Sequence, residues 1–245
     1  MRRFFISPEQ FEADKPVIRG PDVKHMVKVL RLKPGDMVEL LDGTGRAARA
    51  RIDSAGSVEV VCTRLEEVIP GGEPPVKVTL VQGLAKGEKM DLVIQKSTEL
   101  GVAEIIPLIC RRSVVRLEDK RAAGRQERWQ RVAVEAAKQC RRARLPVVRS
   151  AQGLDEVLDG MPVGTAAFLP WEEERDRSFG QLLQGENPGR VYIFIGPEGG
   201  FEKSEVEGAR RRGVVTVTLG PRILRTETAG LACLALIMHR WGDLG

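Results

Sequence analysis

The stretch Ile195-Gly196-Pro197-Glu198-Gly199-Gly200-Phe201 decides how the second half of this chain is interpreted. It follows a strand-like run at 191–195 and precedes a helical pattern at 203–212. One glycine would suffice for a tight strand-to-helix turn, whereas adjacent glycines also let backbone amides approach a ligand closely. Because open α/β sheets bind ligands beyond the carboxyl ends of their strands, this turn predicts a ligand site.

A second segment has the same setting: Leu219-Gly220-Pro221-Arg222-Ile223-Leu224-Arg225-Thr226-Glu227-Thr228-Ala229. It follows a predicted strand at 214–219 and opens an apolar helix at 228–241, for which Thr226 or Thr228 is the expected N-cap. Three polar side chains at one strand end, beside another glycine-rich strand end, predict a concave polar pocket. The GK[ST] ending of a phosphate-binding P-loop is absent from both segments.

The pattern around these turns alternates strands with helices from residue 76 onward. Predicted strands cover 76–82, 104–109, 147–150, 164–169, 191–195 and 214–219, and predicted helices cover 87–100, 125–144, 154–158, 203–212 and 228–241. Such alternation is typical of an α/β domain with a mostly parallel sheet. The cluster Pro70-Gly71-Gly72-Glu73-Pro74-Pro75 breaks both helix and strand, so we expect domains at 1–70 and 74–245.

The N-terminal part indicates a small β-barrel. Strand-like runs at 37–41, 47–52 and 57–63 accompany one short helix at 22–30. Between the first two runs, Gly43-Thr44-Gly45-Arg46-Ala47-Ala48 fits a GxGxxA pattern, but a strand follows it. A dinucleotide fingerprint needs a helix there, so a hairpin turn is the favoured interpretation.

Composition limits the class of protein. The chain has 245 residues, of which 42% are hydrophobic and 30% charged, as in a packed globule. Its four cysteines are scattered and it has two histidines, so we expect no metal site. The initial apolar run is too short for a signal peptide, and the longest, 229–238, is too short to span a bilayer. We therefore expect a cytoplasmic protein with no membrane partner.

Positive charge is concentrated in one segment. Between Arg111 and Arg149 there are thirteen Lys or Arg residues and four acidic ones, so this segment carries +9 within a chain of net charge +5. A solvated helix face is one interpretation, since Lys and Arg favour helices. The excess exceeds what solubility requires, and it favours a polyanionic partner such as a nucleic acid.

The two turns together resemble the signature loops of the SPOUT methyltransferases, in particular the RsmE subfamily, which methylates N3 of a uridine in 16S ribosomal RNA. The resemblance covers nearly the whole chain. Further matching motifs are Arg2-Arg3-Phe4-Phe5, His25-x-x-x-Val29-Leu30-Arg31, Lys86, Lys89, Asp91, Lys96-x-x-Glu99-Leu100-Gly101 and Glu135-Ala136-Ala137-x-Gln139-x-x-Arg142. One departure is Arg141, where the family pattern has glycine.

The resemblance implies S-adenosylmethionine as methyl donor, a homodimer, and a C-terminal SPOUT domain tied in a deep trefoil knot, preceded by a PUA-like RNA-binding domain. Leu219, Ile223 and Leu224 would enclose the adenine. The implied cofactor-binding residues are Leu169, Pro170, Ile195, Gly196, Pro197, Gly199, Gly200, Leu219, Gly220, Ile223, Leu224 and Thr226.

The implied chemistry needs in-line placement of N3 and the methyl carbon, and positive charge near the uracil oxygens as the anion develops. Arg225 is the candidate for that charge, because a guanidinium stays protonated and donates in a fork. Glu198 and Glu227 are candidates for proton removal or for orienting the base, and a loop-fixing hydrogen bond is the alternative for each. The candidate contacts to 16S ribosomal RNA are Arg2, Arg3, His25, Lys28, Arg31, Lys86, Lys89, Lys96, Arg112 and Arg142.

Other functions stay open at this point. A SPOUT methyltransferase acting on transfer RNA would use the same residues, and a non-catalytic RNA-binding ribosome assembly factor could have kept the pocket. Intact Arg225, Glu227 and Gly199-Gly200 argue against loss of activity. A phosphate-binding regulator is disfavoured because the GK[ST] ending is missing.

Overall fold

The computed structural model describes residues 1–113 and 119–245, which form two compact units. The first comprises Met1–Glu73 and Ala137–Leu145, and the second comprises Pro74–Ala136 and Pro146–Gly245. The basic segment 111–149 therefore contributes to both units, and its residues 114–118 lie outside the described part of the chain. Among the described residues, no helix combines the length and apolarity needed to cross a bilayer.

The first unit is built on a five-stranded sheet. Its strands are β1 (Arg2–Phe5), β2 (Val17–Arg19), β3 (Met37–Leu41), β4 (Ala47–Ala55) and β5 (Glu59–Val68), in the order β1-β3-β4-β5-β2. The hairpin between β3 and β4 is confirmed: the strands pair antiparallel, with Leu41 opposite Ala47. The Asp42 carboxylate accepts hydrogen bonds from the backbone N–H groups of Thr44 (2.8 Å) and Arg46 (3.1 Å), which fixes the turn.

The single helix predicted at 22–30 is wrong in detail. It consists of α2 (Pro21–Lys24) followed by a π-helical turn, His25–Val29, and α1 (Pro8–Glu12) precedes both. Arg31 lies beyond the turn with a left-handed φ of 55°, so it is not on the helix that carries His25. The turn ends there because the Leu32 N–H donates back to the Met26 carbonyl (3.0 Å).

The second unit is an α/β structure with a wholly parallel sheet, as the alternation predicts. Its strands are β6 (Lys77–Gly83), β7 (Glu104–Ile109), β8 (Val147–Val148), β9 (Gln152–Gly153), β10 (Ala166–Pro170), β11 (Arg190–Ile195) and β12 (Val215–Val217). The order is β12-β10-β11-β6-β7-β8, and β9 pairs with β7. The deep trefoil knot stays a prediction.

Helices cover both faces of this sheet. They are α3 (Lys89–Glu99), α4 (Asp119–Cys140), α5 (Leu154–Asp159), α6 (Phe179–Leu182), α7 (Lys203–Arg211) and α8 (Thr226–Trp241). Successive residues of a strand point to opposite faces, so Leu80 of β6 belongs to the same hydrophobic cluster as Ile237 of α8, while Val81 belongs to the cluster that contains Val206 of α7. The central strands of the sheet lie between the two layers of helices and are buried on both faces, which explains their nearly continuous apolar runs.

Candidate active site

A cavity of about 610 Å³ opens beyond the carboxyl ends of β10 and β11, at the start of α8. Its walls come from three chain segments, 170–175, 196–201 and 218–229, together with Lys89 at the first position of α3. The two turns singled out from the sequence therefore meet on one concave surface. This is the position that ligands take in open α/β sheets.

Most of the residues predicted for this site line the cavity. They are Pro170, Gly196, Pro197, Glu198, Gly199, Gly200, Leu219, Gly220, Ile223, Leu224, Arg225, Thr226 and Glu227. Leu169 and Ile195 do not: they are 0% and 3% exposed and belong to the sheet interior. Ile223, by contrast, is 89% exposed at the edge of the cavity.

The turn at 196–201 folds back on itself so closely that it requires glycine. The Gly200 N–H donates to the Pro197 carbonyl (2.9 Å), and Gly200 has a left-handed φ of 68°. A Cβ on Gly196 would lie 3.2 Å from the Phe201 ring and 3.3 Å from the Gly200 backbone. A side chain would therefore be crowded at Gly196 and strained at Gly200, which explains the glycines of this turn.

A buried hydrogen-bond relay ties this turn to the centre of the sheet. Thr226 Oγ1 donates to the Gly196 carbonyl (2.6 Å) and accepts from Nε2 of Gln82 (2.8 Å), a fully buried residue of β6. The N-cap of α8 is Arg225, so the expectation of a Thr226 or Thr228 cap is wrong. The Thr226 hydroxyl does not cap the helix. It bonds to Gly196 and Gln82, which lie beside it in the fold, and so connects the helix to the turn and to the sheet.

One lysine joins two of the glutamates that line the cavity. Lys89 Nζ lies 3.3 Å from Oε1 of Glu198 and 3.4 Å from Oε2 of Glu227. Glu198 also accepts from the backbone N–H of Lys86 (3.1 Å). Burial raises the pKa of Glu198, but these donors outweigh it and hold that pKa below its ordinary value. Oε2 of Glu227 is buried and, among the described residues, makes no hydrogen bond.

Arg225 has a different environment. It is exposed, lines the cavity, and among the described residues forms no ion pair with a carboxylate. Its neighbour Glu227 pairs with Lys89 instead. A guanidinium that keeps its donors unused at the edge of a cavity is available to an incoming polar group.

The predicted RNA contacts are distributed over both units. In the first unit Arg2, His25, Lys28 and Arg31 are exposed, whereas Arg3 pairs with Glu39 (3.0 Å). Arg142 is 4% exposed and donates to Glu73 (2.9 Å), a position in which it does not face solvent.

The candidates in the second unit have protein partners of their own. Lys96 pairs with Glu99 (2.8 Å), and Nη1 of Arg112 donates to the Gly199 carbonyl (3.3 Å). The backbone N–H of Lys86 and the ammonium of Lys89 both donate hydrogen bonds to Glu198.

Sequence reasoning did not assign several residues of the cavity. Trp171, Glu172, Arg175, Phe201, Thr218, Pro221, Arg222 and Ala229 also line it. Gln82 was missed as well, although a glutamine closing the apolar run of a buried strand is a signal, since buried polar groups need partners. Lys89, an expected contact to RNA, lines the cavity, which the sequence did not predict.

Comparisons with known proteins agree with this architecture. A family model described as an RNA methyltransferase domain matches residues 72–238, and a model described as an RNA methyltransferase PUA domain matches residues 18–62. The chain is 36% identical to ribosomal RNA small subunit methyltransferase E of Bacillus subtilis, over 98% of this chain and 97% of that protein. It is 32% identical to the Mycobacterium tuberculosis protein of the same name, over 92% and 87%.

Solved structures give the same result. The ribosomal RNA small subunit methyltransferase E of Neisseria gonorrhoeae, bound to S-adenosyl methionine, superposes with a TM-score of 0.86 at 36% identity over the full length of both chains. A methyltransferase of Legionella pneumophila in complex with the same cofactor gives 0.81 at 30% identity, over 99% of this chain and 98% of that one. The chain therefore belongs to the RNA methyltransferase family, and within it to the ribosomal RNA small subunit methyltransferases E.

Proposed function

We propose that this enzyme, an S-adenosylmethionine-dependent ribosomal RNA methyltransferase, methylates N3 of a uridine in 16S ribosomal RNA of the small subunit. The observation that carries the proposal is the cavity formed by the two turns, since its position is that of a ligand site and its full-length relative from Neisseria gonorrhoeae is bound to S-adenosyl methionine. The target atom follows from the resemblance of the motifs.

The residues present fit that cofactor. A volume of about 610 Å³ lies within the ordinary range for small-molecule sites, about 300–1,000 Å³. Gly196, Gly199 and Gly200 have no side chain, so a ligand can approach the backbone of this turn closely, and Leu219 and Leu224 offer apolar contacts for an adenine ring. Ile223 is a large apolar side chain left uncovered beside the cavity, which a flat ring would cover.

When bound, the cofactor supplies a methyl group on a sulfonium, which passes to N3 while the C–S bond breaks with its electron pair on sulfur. The chain must accept the N3 proton and stabilise the negative charge that spreads over the uracil oxygens. Arg225 is unpaired among the described residues and is the proposed donor to one of those oxygens. Glu227 is the better proton acceptor of the two glutamates, because Glu198 already accepts from two donors.

The test is to incubate the protein with labelled S-adenosylmethionine and small ribosomal subunits, and then to map the product. We expect label on N3 of one uridine in 16S RNA. Label on no RNA, on a ribose, or preferentially on transfer RNA would contradict the proposal.

The role of Arg225 has its own test. Arg225→Ala should lower kcat by roughly 100- to 1,000-fold, the usual loss when one oxyanion donor is removed, with cofactor affinity unchanged. Arg211→Ala, which removes an exposed arginine of α7 outside the cavity, is the matched control and should be fully active. Equal activity of both variants would contradict the assignment.

We also propose that residues 1–70 bind the ribosomal RNA and that residues 74–245 carry out methyl transfer, in the cytoplasm and as a knotted homodimer. The PUA-domain match at 18–62 and the methyltransferase match at 72–238 support this division. The exposed cations of the first unit, Arg2, Lys28 and Arg31, are suited to phosphate contacts.

A further inference from the structure

Lys89 occupies a position that helix electrostatics disfavours. It is the first residue of α3, where the positive end of the helix dipole repels a cation. Neighbouring Glu88 does not cap the helix with its side chain. A lysine at this position does not stabilise the helix. Because the side chain lies at the wall of a cavity, its position indicates a role in function.

The ammonium of Lys89 has a specific geometry with respect to Glu227. Nζ lies 3.4 Å from Oε2, the glutamate oxygen that is buried and makes no hydrogen bond among the described residues. Both residues line the cavity, so an ammonium donor and a carboxylate acceptor lie next to each other there. The imide edge of uracil presents the reverse pair, with the N3–H donor next to a carbonyl acceptor.

We infer that Lys89 is a further catalytic residue, which donates to the uracil oxygen adjacent to N3 while the Glu227 carboxylate accepts the N3 proton. This rests on the proposed function. In the step, the N3–H bond breaks, its electron pair stays on the ring, and the proton forms a bond to a carboxylate oxygen of Glu227. Glu227 becomes neutral as the ring becomes negative, so Lys89 changes its ionic partner from the carboxylate to the uracil oxygen.

The surrounding charges are compatible with this exchange. Glu198, whose pKa is held low, remains ionised and keeps Lys89 at the cavity wall through its contact of 3.3 Å. The other charged groups that line the cavity are Glu172, Arg175, Arg222 and Arg225. Arg112 reaches the rear of the turn at Gly199. In the described part of the chain, Lys89 is thus the cation in contact with the proposed proton acceptor.

The test compares Lys89→Met with Lys77→Met on small subunits carrying the mapped target. Lys77 is an exposed control at the first position of β6, and it does not line the cavity. We expect Lys89→Met to lose kcat about 100-fold or more at neutral pH, the scale of a missing transition-state donor, with unchanged affinities for cofactor and RNA. Lys77→Met should retain kcat.

The pH dependence separates this role from a structural one. Without Lys89, formation of the uracil anion becomes limiting, so the rate of Lys89→Met should rise with pH where that of the unmodified enzyme is level. Lys89→Arg should restore part of kcat, since it keeps a donor and a charge.

Three results would overturn the inference. One is an unchanged kcat with weaker RNA binding and a smaller salt dependence, which would make Lys89 a phosphate contact. Another is loss of thermal stability and cofactor binding together, without the pH effect. The third is full activity of Lys89→Met at all pH values. Failure of the unmodified protein to methylate N3 would contradict the proposed function instead.

Discussion

Thr226 shows how the role of a single residue depends on partners that are distant in the sequence. A threonine before an apolar helix is a standard N-cap candidate. Here the residue is the first of the helix, and its hydroxyl joins Gln82 of β6 to the carbonyl of Gly196. Those partners lie 144 and 30 residues away, so no local pattern reveals them.

Replacing Thr226 by valine should therefore weaken both the fold and the cofactor site. The change leaves the Gly196 carbonyl and Nε2 of Gln82 without their main partner in the interior, which costs about 1–3 kcal/mol of the free energy of unfolding. Because Gly196 lies on the cavity wall, we expect cofactor affinity to fall about tenfold. Thermal unfolding and titration calorimetry with S-adenosylmethionine measure the two effects.

Thr226→Ser is the matched control, because it keeps the hydroxyl and removes only a methyl group. It should bind the cofactor nearly as well as the unmodified protein. If the valine variant matched the serine variant in both measurements, the relay would have no part in shaping the site.

At the level of residues, the candidate site was predictable where it is continuous in sequence. The two glycine-bearing turns, which contain Glu198, Arg225 and Glu227, are continuous in sequence. In the folded chain the residues of both turns line one cavity. Gln82 belongs to β6 and Lys89 to α3. Both lie near the two turns because β6 is the neighbour of β11 in the sheet, which is a matter of strand order. Strand order is a tertiary property that local periodicity does not encode.

The C-terminal end of α4 is an element boundary formed with an unusual residue. Arg141 has a φ of 64° directly after the helix, and the Arg142 N–H donates back to the Ala137 carbonyl (3.0 Å). This is the geometry of a Schellman motif, in which glycine is the usual residue at the left-handed position. The arginine that departs from the family pattern therefore lies where the backbone favours glycine.

Arg141→Gly should stabilise the protein by about 1 kcal/mol. A non-glycine residue in the left-handed region costs about 1–2 kcal/mol, and removing that cost is partly offset because glycine loses more conformational entropy on folding. Urea titration followed by circular dichroism measures the change. Arg141→Ala is the control, since it removes the same side chain but keeps the strained Cβ. A gain in the alanine variant equal to that in the glycine variant would assign the effect to the side chain.

Elements were predictable in proportion to their length and periodicity. The strands β6, β7, β10 and β11 and the long helices α3, α4 and α8 each extend over enough residues for a repeat to be recognised. The short elements β1, α1, β2, β9 and α6 were not predicted, because 2–5 residues contain about one period at most. Their positions are fixed by pairing with longer neighbours, as β1 is by β3.

Over the whole molecule, the basic segment is less positive than its composition indicates. Several of its arginines pair with acids that lie elsewhere in the sequence: Arg128 with Asp91, Arg142 with Glu73 (2.9 Å) and Arg149 with Glu104 (2.5 Å). A charge count limited to residues 111–149 omits those acidic residues, because they lie outside that range. The number of phosphate contacts that the segment can make is therefore smaller than its thirteen basic residues.

An apolar stripe on α8 carries the last prediction, which concerns the proposed homodimer. Leu236 is 43% exposed, and Leu231, Ala232 and Ala235 are partly exposed at the i, i+4 spacing of one helix face. Leu92 of α3, the helix that packs beside α8, is 44% exposed. A second copy of the chain would remove this surface from water.

Leu236→Glu should convert the dimer to a monomer, because burying an unpaired carboxylate in an apolar contact is strongly unfavourable. Sedimentation equilibrium measures the mass directly. Val163→Glu is the control, since it places the same charge at a fully exposed position outside α3 and α8, and it should remain dimeric. An unmodified protein that sediments as a monomer would refute the homodimer, and a dimeric Leu236→Glu variant would place its interface away from α8.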